Sequence, residues 1–239
     1  MKTRILFLMG CFIIFLSAFT FQECMAGVVV EQVVKDREGN PSKVFLYFSD
    51  DRFRTDHPEG GLTTIMDFKE DRLVMIEHRS KSYVEVRLSQ WERETAKQLK
   101  RELKGLKAKE RKVVVKRTGR TAVINGFQTE EIEIWGEGEL VEANWMTRNV
   151  EMKEIDQVMD RVAQGFSKDF SREMKEGREI YEKLKPYGFP ILIRDYTTTY
   201  GLGPIDRLEV KKIEKRELKE DLFLPPADYQ KIIPKASKK

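Results

Sequence analysis

Between Leu62 and Leu88 the chain reads as three short apolar segments, LTTIMDF, LVMIEH and YVEVRL, parted by the polar runs KEDR and RSKS. Short segments rich in β-branched and aromatic residues, joined by four-residue turn-forming runs, predict an up-and-down antiparallel meander. In an extended chain Leu62, Thr64, Met66 and Phe68 share one side, and so do Val84, Val86 and Leu88. The alternates Tyr83, Glu85 and Arg87 are polar or amphipathic, which predicts one buried and one wet face.

More strands flank this meander. Val28 to Val34, Val44 to Phe48 and Arg52 to Asp56 precede it, separated by Glu38-Gly39-Asn40-Pro41 and Asp50-Asp51. At Ser89 the period changes. Ser89 with Glu92 has capping-box spacing, and Trp91, Thr95, Leu99, Leu103 and Leu106 form one helical stripe to about Lys109. Strands return at Val113 to Lys116, Ala122 to Ile124, Phe127 to Trp135 and Leu140 to Thr147, with turns at Gly119 and Gly136-Glu137-Gly138. A second helical region runs from Asn149 to about Lys185, weakened at Gly165 and Gly177 and stopped by Pro186 and Gly188. Ile191 to Thr199 and Arg207 to Ile213 are the last strands before Leu222-Phe223-Leu224-Pro225-Pro226, Tyr229 and a basic tail.

The amino terminus carries an address. Lys2 and Arg4 precede an apolar run from Ile5 to Phe21, and Cys24-Met25-Ala26 places small side chains at the cleavage-defining positions. This predicts a secretory signal peptide over 1–26, cleaved after Ala26, followed by a single domain over 27–239. The alternative is an uncleaved anchor, for which the run is at the short limit. Cys11 and Cys24 both lie in the leader, so residues 27–239 hold no disulfide, thiol nucleophile or thiolate ligand. The formal net charge of the whole chain is +4, too even a balance to point to nucleic acid.

Catalytic patterns are absent from the sequence. There is no nucleophile elbow, P-loop, dinucleotide fingerprint or paired-histidine zinc motif. His57 precedes a proline in a loop, and His78 shares a strand face with Val74 and Ile76 without a second His or Cys at ligand spacing. Asp50-Asp51 and Glu130-Glu131 point to opposite faces if extended and form no dyad. The reading is a non-enzymatic protein with no cofactor and no metal.

Several phrases resemble a bacterial envelope family of unknown function related to the LolA-like half-barrel, the fold of the periplasmic lipoprotein carrier. They are Arg52-Phe53-Arg54, Ile65-Met66-Asp67-Phe68, Lys81-Ser82-Tyr83, Ile124-Asn125-Gly126-Phe127, Asn144-Trp145-Met146-Thr147, and Gly188-Phe189-Pro190 through Leu222-Phe223 and Tyr229. The resemblance implies an α+β fold: a strongly curved antiparallel half-barrel of about eleven strands covering helical insertions. It also implies an apolar concavity that would take a lipid-like ligand or the acyl chain of a lipoprotein in the periplasm.

Under that implication Phe45, Tyr47, Met66, Phe68, Met75, Trp145 and Tyr196 are the candidate lining residues, although core filling is the simpler account of each one. From Lys97 to Arg117 the sequence holds ten Lys/Arg against Glu102 and Glu110. The helix face carrying Lys97, Lys100, Arg101, Lys104 and Lys107 is either a solvated surface or an attraction to an anionic membrane. The contrasting reading is a structural envelope protein with a filled core whose basic face meets a partner.

Overall fold

The computed structural model describes residues 24–102, 112–150, 153–165, 172–196 and 205–233. Six strands come first: β1 (Cys24–Asp36), β2 (Pro41–Ser49), β3 (Arg52–His57), β4 (Leu62–Asp67), β5 (Arg72–Glu77) and β6 (Ser82–Arg87). Helix α1 (Leu88–Glu102) precedes β7 (Val113–Ile124), β8 (Phe127–Gly136) and β9 (Glu139–Thr147). Helices α2 (Lys153–Gly165) and α3 (Arg172–Leu184) lead to β10 (Phe189–Asp195), β11 (Ile205–Lys219) and the short β12 (Gln230–Lys231).

All twelve strands belong to one sheet, ordered β12-β6-β5-β4-β3-β2-β1-β11-β10-β9-β8-β7. Every pairing is antiparallel except β12 with β6. The two ends of the order do not pair with each other, so the sheet is open. Local chemistry explains the tight reversals: Asn125-Gly126 and Glu137-Gly138 both have positive φ at two consecutive residues. That is the conformation two-residue hairpins need to match strand twist.

The sheet bends strongly. In a flat sheet β8 and β11, three positions apart, would lie about 14 Å from each other. Yet Asn125, in the β7–β8 turn, donates from Nδ2 to the Val210 carbonyl of β11 at 2.8 Å and to Glu209 Oε1 at 2.9 Å. Phe53 of β3, Phe68 just after β4, and Ile124 and Phe127 of the β7–β8 hairpin also pack into one cluster with Ile155 and Val158 of α2. Strands near opposite ends can meet around one helix only if the sheet wraps it. The architecture is therefore the expected half-barrel around helices.

Four details depart from the sequence reading. The described residues hold twelve strands where about eleven were expected, because the carboxyl-terminal segment adds β12. The two strands expected around Gly119 are one, β7, with an irregularity between Arg117 and Thr121. Gly165 ends α2, but Gly177 sits inside α3, whose amphipathic packing outweighs the propensity cost. The first helix is held by Asp71 rather than by a Ser89–Glu92 box: Ser89 donates from its backbone N–H to Asp71 Oδ1 at 2.7 Å and from Oγ to Oδ2 at 2.8 Å. The expected strand 191–199 and helix 89–109 run partly outside the described residues.

The expected wet face of the meander is covered over β4 and β5, while on β6 Tyr83 and Glu85 are half-buried and Arg87 stays exposed. Thr63, Ile65, Asp67, Val74 and Ile76 are buried, whereas Leu62 is exposed and Thr64 and Met66 are only half-buried. Residues 220–233 return over that face. Phe223, completely buried, packs with Leu222, Tyr229, Tyr83, Ile65, Val74 and Ile76. A segment some 150 positions downstream supplies the cover, which no local pattern announces.

Candidate functional site

Register divides the sheet into two faces. On the helix side lie Val28, Val30, Leu46 and Phe48, then across β3–β6 Phe53 and Thr55, Thr64 and Met66, Leu73 and Met75, Val84 and Val86. The other side, carrying Val29, Tyr47, Ile65 and Val74, is the one that residues 220–233 strap down.

Helices cover the helix-side face unevenly. Beneath α2, Val28, Val30, Phe48, Ile191 and Val210 are at most 1% exposed. Ile180 and Leu184 of α3 close over Val113, Ile132, Ile134, Val141 and Met146. Over β4–β6 the cover thins. Leu62 is 49% exposed and Met75 37%, with Thr64, Met66, Val84 and Val86 half-buried beside them. The result is an apolar strip, continuous with the core at Phe53 and Phe68 and open toward Leu62.

Of the seven candidate lining residues, Met66 and Met75 stand in this strip. Phe68 sits at its inner end, with the Arg161 guanidinium 5.9 Å from its ring centroid and Arg161 paired to Asp51 at 2.7 Å. Phe45 and Tyr47 point to the strap side, where Val29 and Glu31 are their cross-strand neighbours. Trp145 pairs with Leu192 and Glu131, out of phase with Asn144, whose register partners Ile132 and Ile193 look toward the helices. Tyr196 is 52% exposed just past β10. The seven therefore form no single site. Of the basic face, Lys97 is exposed and paired with Glu94 at 2.9 Å, and Arg101 is exposed. Lys100 lies within α1, while Lys104 and Lys107 lie outside the described residues.

Two polar features escaped the sequence reading. Glu142 and Asp195 face each other across β9 and β10, only 7% and 1% exposed. Burial pushes the Glu142 carboxyl up to about 7, with Asp195 adding to the rise and a hydrogen bond from Asn144 Nδ2 at 3.2 Å opposing it. Burial and Asp160 push the Tyr181 hydroxyl well above its usual range. That hydroxyl donates to Asp160 Oδ1 at 2.9 Å, and Lys185 Nζ meets the same atom at 2.6 Å, tying α2 to the end of α3. Among the described residues no cluster of three or more His, Cys, Asp or Glu has the arrangement of a metal site. The signal that could have exposed the acid pair is Glu142 itself, a carboxylate inside the apolar strand Val141 to Met146.

His78 follows β5 rather than lining a site. Thr63 Oγ1 donates to Asp56 Oδ1 at 2.6 Å and stands 2.9 Å from His78 Nε2, and His78 Nδ1 stands 3.0 Å from the Tyr229 hydroxyl.

Fold and site together define an open half-barrel, with a partly filled concave face and a strapped outer one. The chain belongs to a family described as a domain of unknown function (DUF4412), whose model matches residues 26–229. No curated protein matches it. Among solved structures the chain is similar to Pseudomonas aeruginosa MucB in its complex with MucA, at 10% identity and a TM-score of 0.43, covering 86% of this chain and 57% of that one. It is similar to PNGF-II at 8% identity and a TM-score of 0.37, over 87% of this chain and 31% of that one. A LolA superfamily protein from Nitrosomonas europaea matches at 10% identity and a TM-score of 0.27, over 84% of this chain and 90% of that one. The chain thus spans about a third to somewhat over half of the first two structures it matches.

Proposed function

We propose that this chain is a non-enzymatic protein of the bacterial envelope, exported to the periplasm, that binds a hydrophobic or lipid-like ligand or a lipoprotein acyl chain. The observation that carries the reading is the open apolar strip Leu62-Met66-Met75-Val84 on the helix-side face. Exposed apolar surface continuous with a core marks an interaction site more often than isolated exposed residues do. Its thioethers suit ligands of variable shape, because methionine adapts where branched side chains cannot. Each buried methylene of an acyl chain would contribute ~0.8 kcal/mol. Export is supported by the leader-like 1–26, which ends where the family match begins.

The test is uptake of a fluorescent fatty acid, alongside native mass spectrometry of protein purified from its own envelope. Uptake or a co-purifying acyl lipid is expected, and Leu62→Asp and Met75→Asp, both exposed and so tolerable to the fold, should abolish it. A clean apo mass with no uptake would remove the reading.

The filled half of the same face favours one rival. With Val28, Val30 and Val210 sealed under α2, an interaction protein that presents the basic α1 surface to an anionic membrane or partner needs no cavity. Its signature would be binding to anionic vesicles that collapses with salt.

A further inference from the structure

On the strap side, at the seam of β11, β1 and β2, there is a trough of about 130 Å³. Val29, 7% exposed, forms its floor together with the half-buried rings of Phe45 and Tyr47. Glu31 and the β11 side chains Lys212, Glu214 and Arg216 make its rim. It lies where the apolar cluster under Phe223 runs out from beneath the strap, since Val29 and Tyr47 belong to that cluster.

Size restricts the occupant. A cavity of about 150 Å³ lined by apolar side chains holds one benzene. The trough is of similar volume but open and charged at its rim, so its apolar floor has room for a single ring or a branched aliphatic group.

Charge restricts it further. Lys212 is paired with Glu214 at 2.5 Å, and Glu31 faces Lys43 at 3.9 Å. Arg54, whose guanidinium lies 5.8 Å from the Tyr47 ring centroid, is held by Asp56 at 2.8 Å. Arg216 has no ion pair among the described residues, and it is close enough to Tyr47 to act on its hydroxyl electrostatically. Arg216 also feels the nearby Glu214 carboxylate, but a guanidinium with no close ion pair beside an aromatic floor can still meet a planar anion with two parallel hydrogen bonds.

We infer that this trough is a second binding site, separate from the concave strip, for a carboxylate carrying one ring-sized apolar group. A peptide ending in an aromatic residue has this chemistry, and so does a free aromatic acid.

The probe is N-acetylphenylalanine, titrated into the full chain and followed by amide shifts, with neutral N-acetylphenylalaninamide as the comparison. The acid should bind at millimolar concentration, moving amides around Val29, Tyr47 and Arg216, and the amide should bind more weakly. Arg216→Ala should weaken the acid about two- to fivefold, the range an exposed ion pair supplies. Glu214→Gln, which frees Lys212, should strengthen it. Equal binding of acid and amide, shifts gathered at Leu62 and Met75 instead, no shifts at all, or indifference to Arg216→Ala would each overturn the assignment.

Discussion

His78 and Tyr229 join the meander to the carboxyl-terminal strap: the imidazole Nδ1 stands 3.0 Å from the phenol oxygen, and the rings meet edge-on at 5.6 Å. The direction of the bonds follows from what each atom can do. Asp56 is a carboxylate and only accepts, so Thr63 spends its one proton there and must accept from His78 Nε2–H. A neutral ring then has a bare Nδ1, and Tyr229 donates to it. Around this link, Arg54 Nη1 donates to the Leu222 carbonyl at 2.5 Å, Arg72 to that of Phe223 at 3.2 Å, and the Gln230 N–H to that of Lys81 at 2.9 Å.

Tyr229→Phe should therefore cost about 1 kcal/mol, one hydrogen bond, while leaving the ring contact. Phe223→Ala should cost about 3–5 kcal/mol, because a fully buried ring leaves a cavity. Hydrogen exchange separates the two. In Tyr229→Phe the Gln230 and Ile232 amides should lose protection while Ile65 and Val74 keep theirs. Equal loss throughout would mean the strap is not a local unit.

That strap also shows where sequence reading stops. Strands and turns were legible because period-two alternation and pairs such as Asn125-Gly126 act locally. The buried face was not. Leu73 and Met75 are as apolar as Val74 and Ile76, and a strand covered on both faces reads as a continuous run. Choosing between the faces required knowing that residues 220–233 come back. The same ignorance placed Phe45 and Tyr47 with Met66, although they share the strand faces of Val29 and Glu31. Asp71, as the anchor of α1, was equally hidden, since it reaches Ser89 only once β5 and β6 are folded.

Glu142 makes stability depend on pH in a direction opposite to most carboxylates. Its folded value is about 7 against an ordinary 4.5, so below 4.5 both states hold the proton and nothing is lost. Between 4.5 and 7 the unfolded chain releases the proton first and stability falls. Above about 7 the full penalty stands, on the order of 3 kcal/mol at most. Glu142→Gln keeps an acceptor for Asn144 and removes the charge. Its urea midpoint should match the parent at pH 4.5 and exceed it at pH 8. A constant difference across that window would refute the assignment.

Asp160 works the other way. The Lys185 ammonium, assisted by the Tyr181 hydroxyl, holds its carboxyl below the usual range. This contribution is present above the ordinary carboxylate value of 3.8 and lost as pH falls through the lower folded value. Because the pair is partly exposed, Asp160→Ala should cost only about 1 kcal/mol. It should loosen α3 against α2, read as faster exchange at Ile180 and Leu184 amides with β1 and β2 unaffected. Salt should shrink the effect.

Gly188 ends the 3-10 turn Lys185–Tyr187 and delivers the chain into β10 with φ at +97°. Two separate penalties meet there. At φ +97° and ψ −142° the backbone lies close to a region essentially reserved for glycine, which costs an L side chain about 1–3 kcal/mol. A Cβ would also stand 2.1 Å from the Thr147 carbonyl oxygen, which belongs to β9 and cannot yield without breaking the Phe189–Thr147 pairing. Gly126 samples a positive φ without the close approach, for its φ is +86° and nothing lies within 4 Å of its would-be Cβ. Gly126→Ala should cost roughly 1–2 kcal/mol, and Gly188→Ala at least about 2 kcal/mol more, with the excess appearing as lost protection along β9 and β10. Equal melting shifts for the two variants would mean that the close approach of Gly188 to Thr147 contributes nothing.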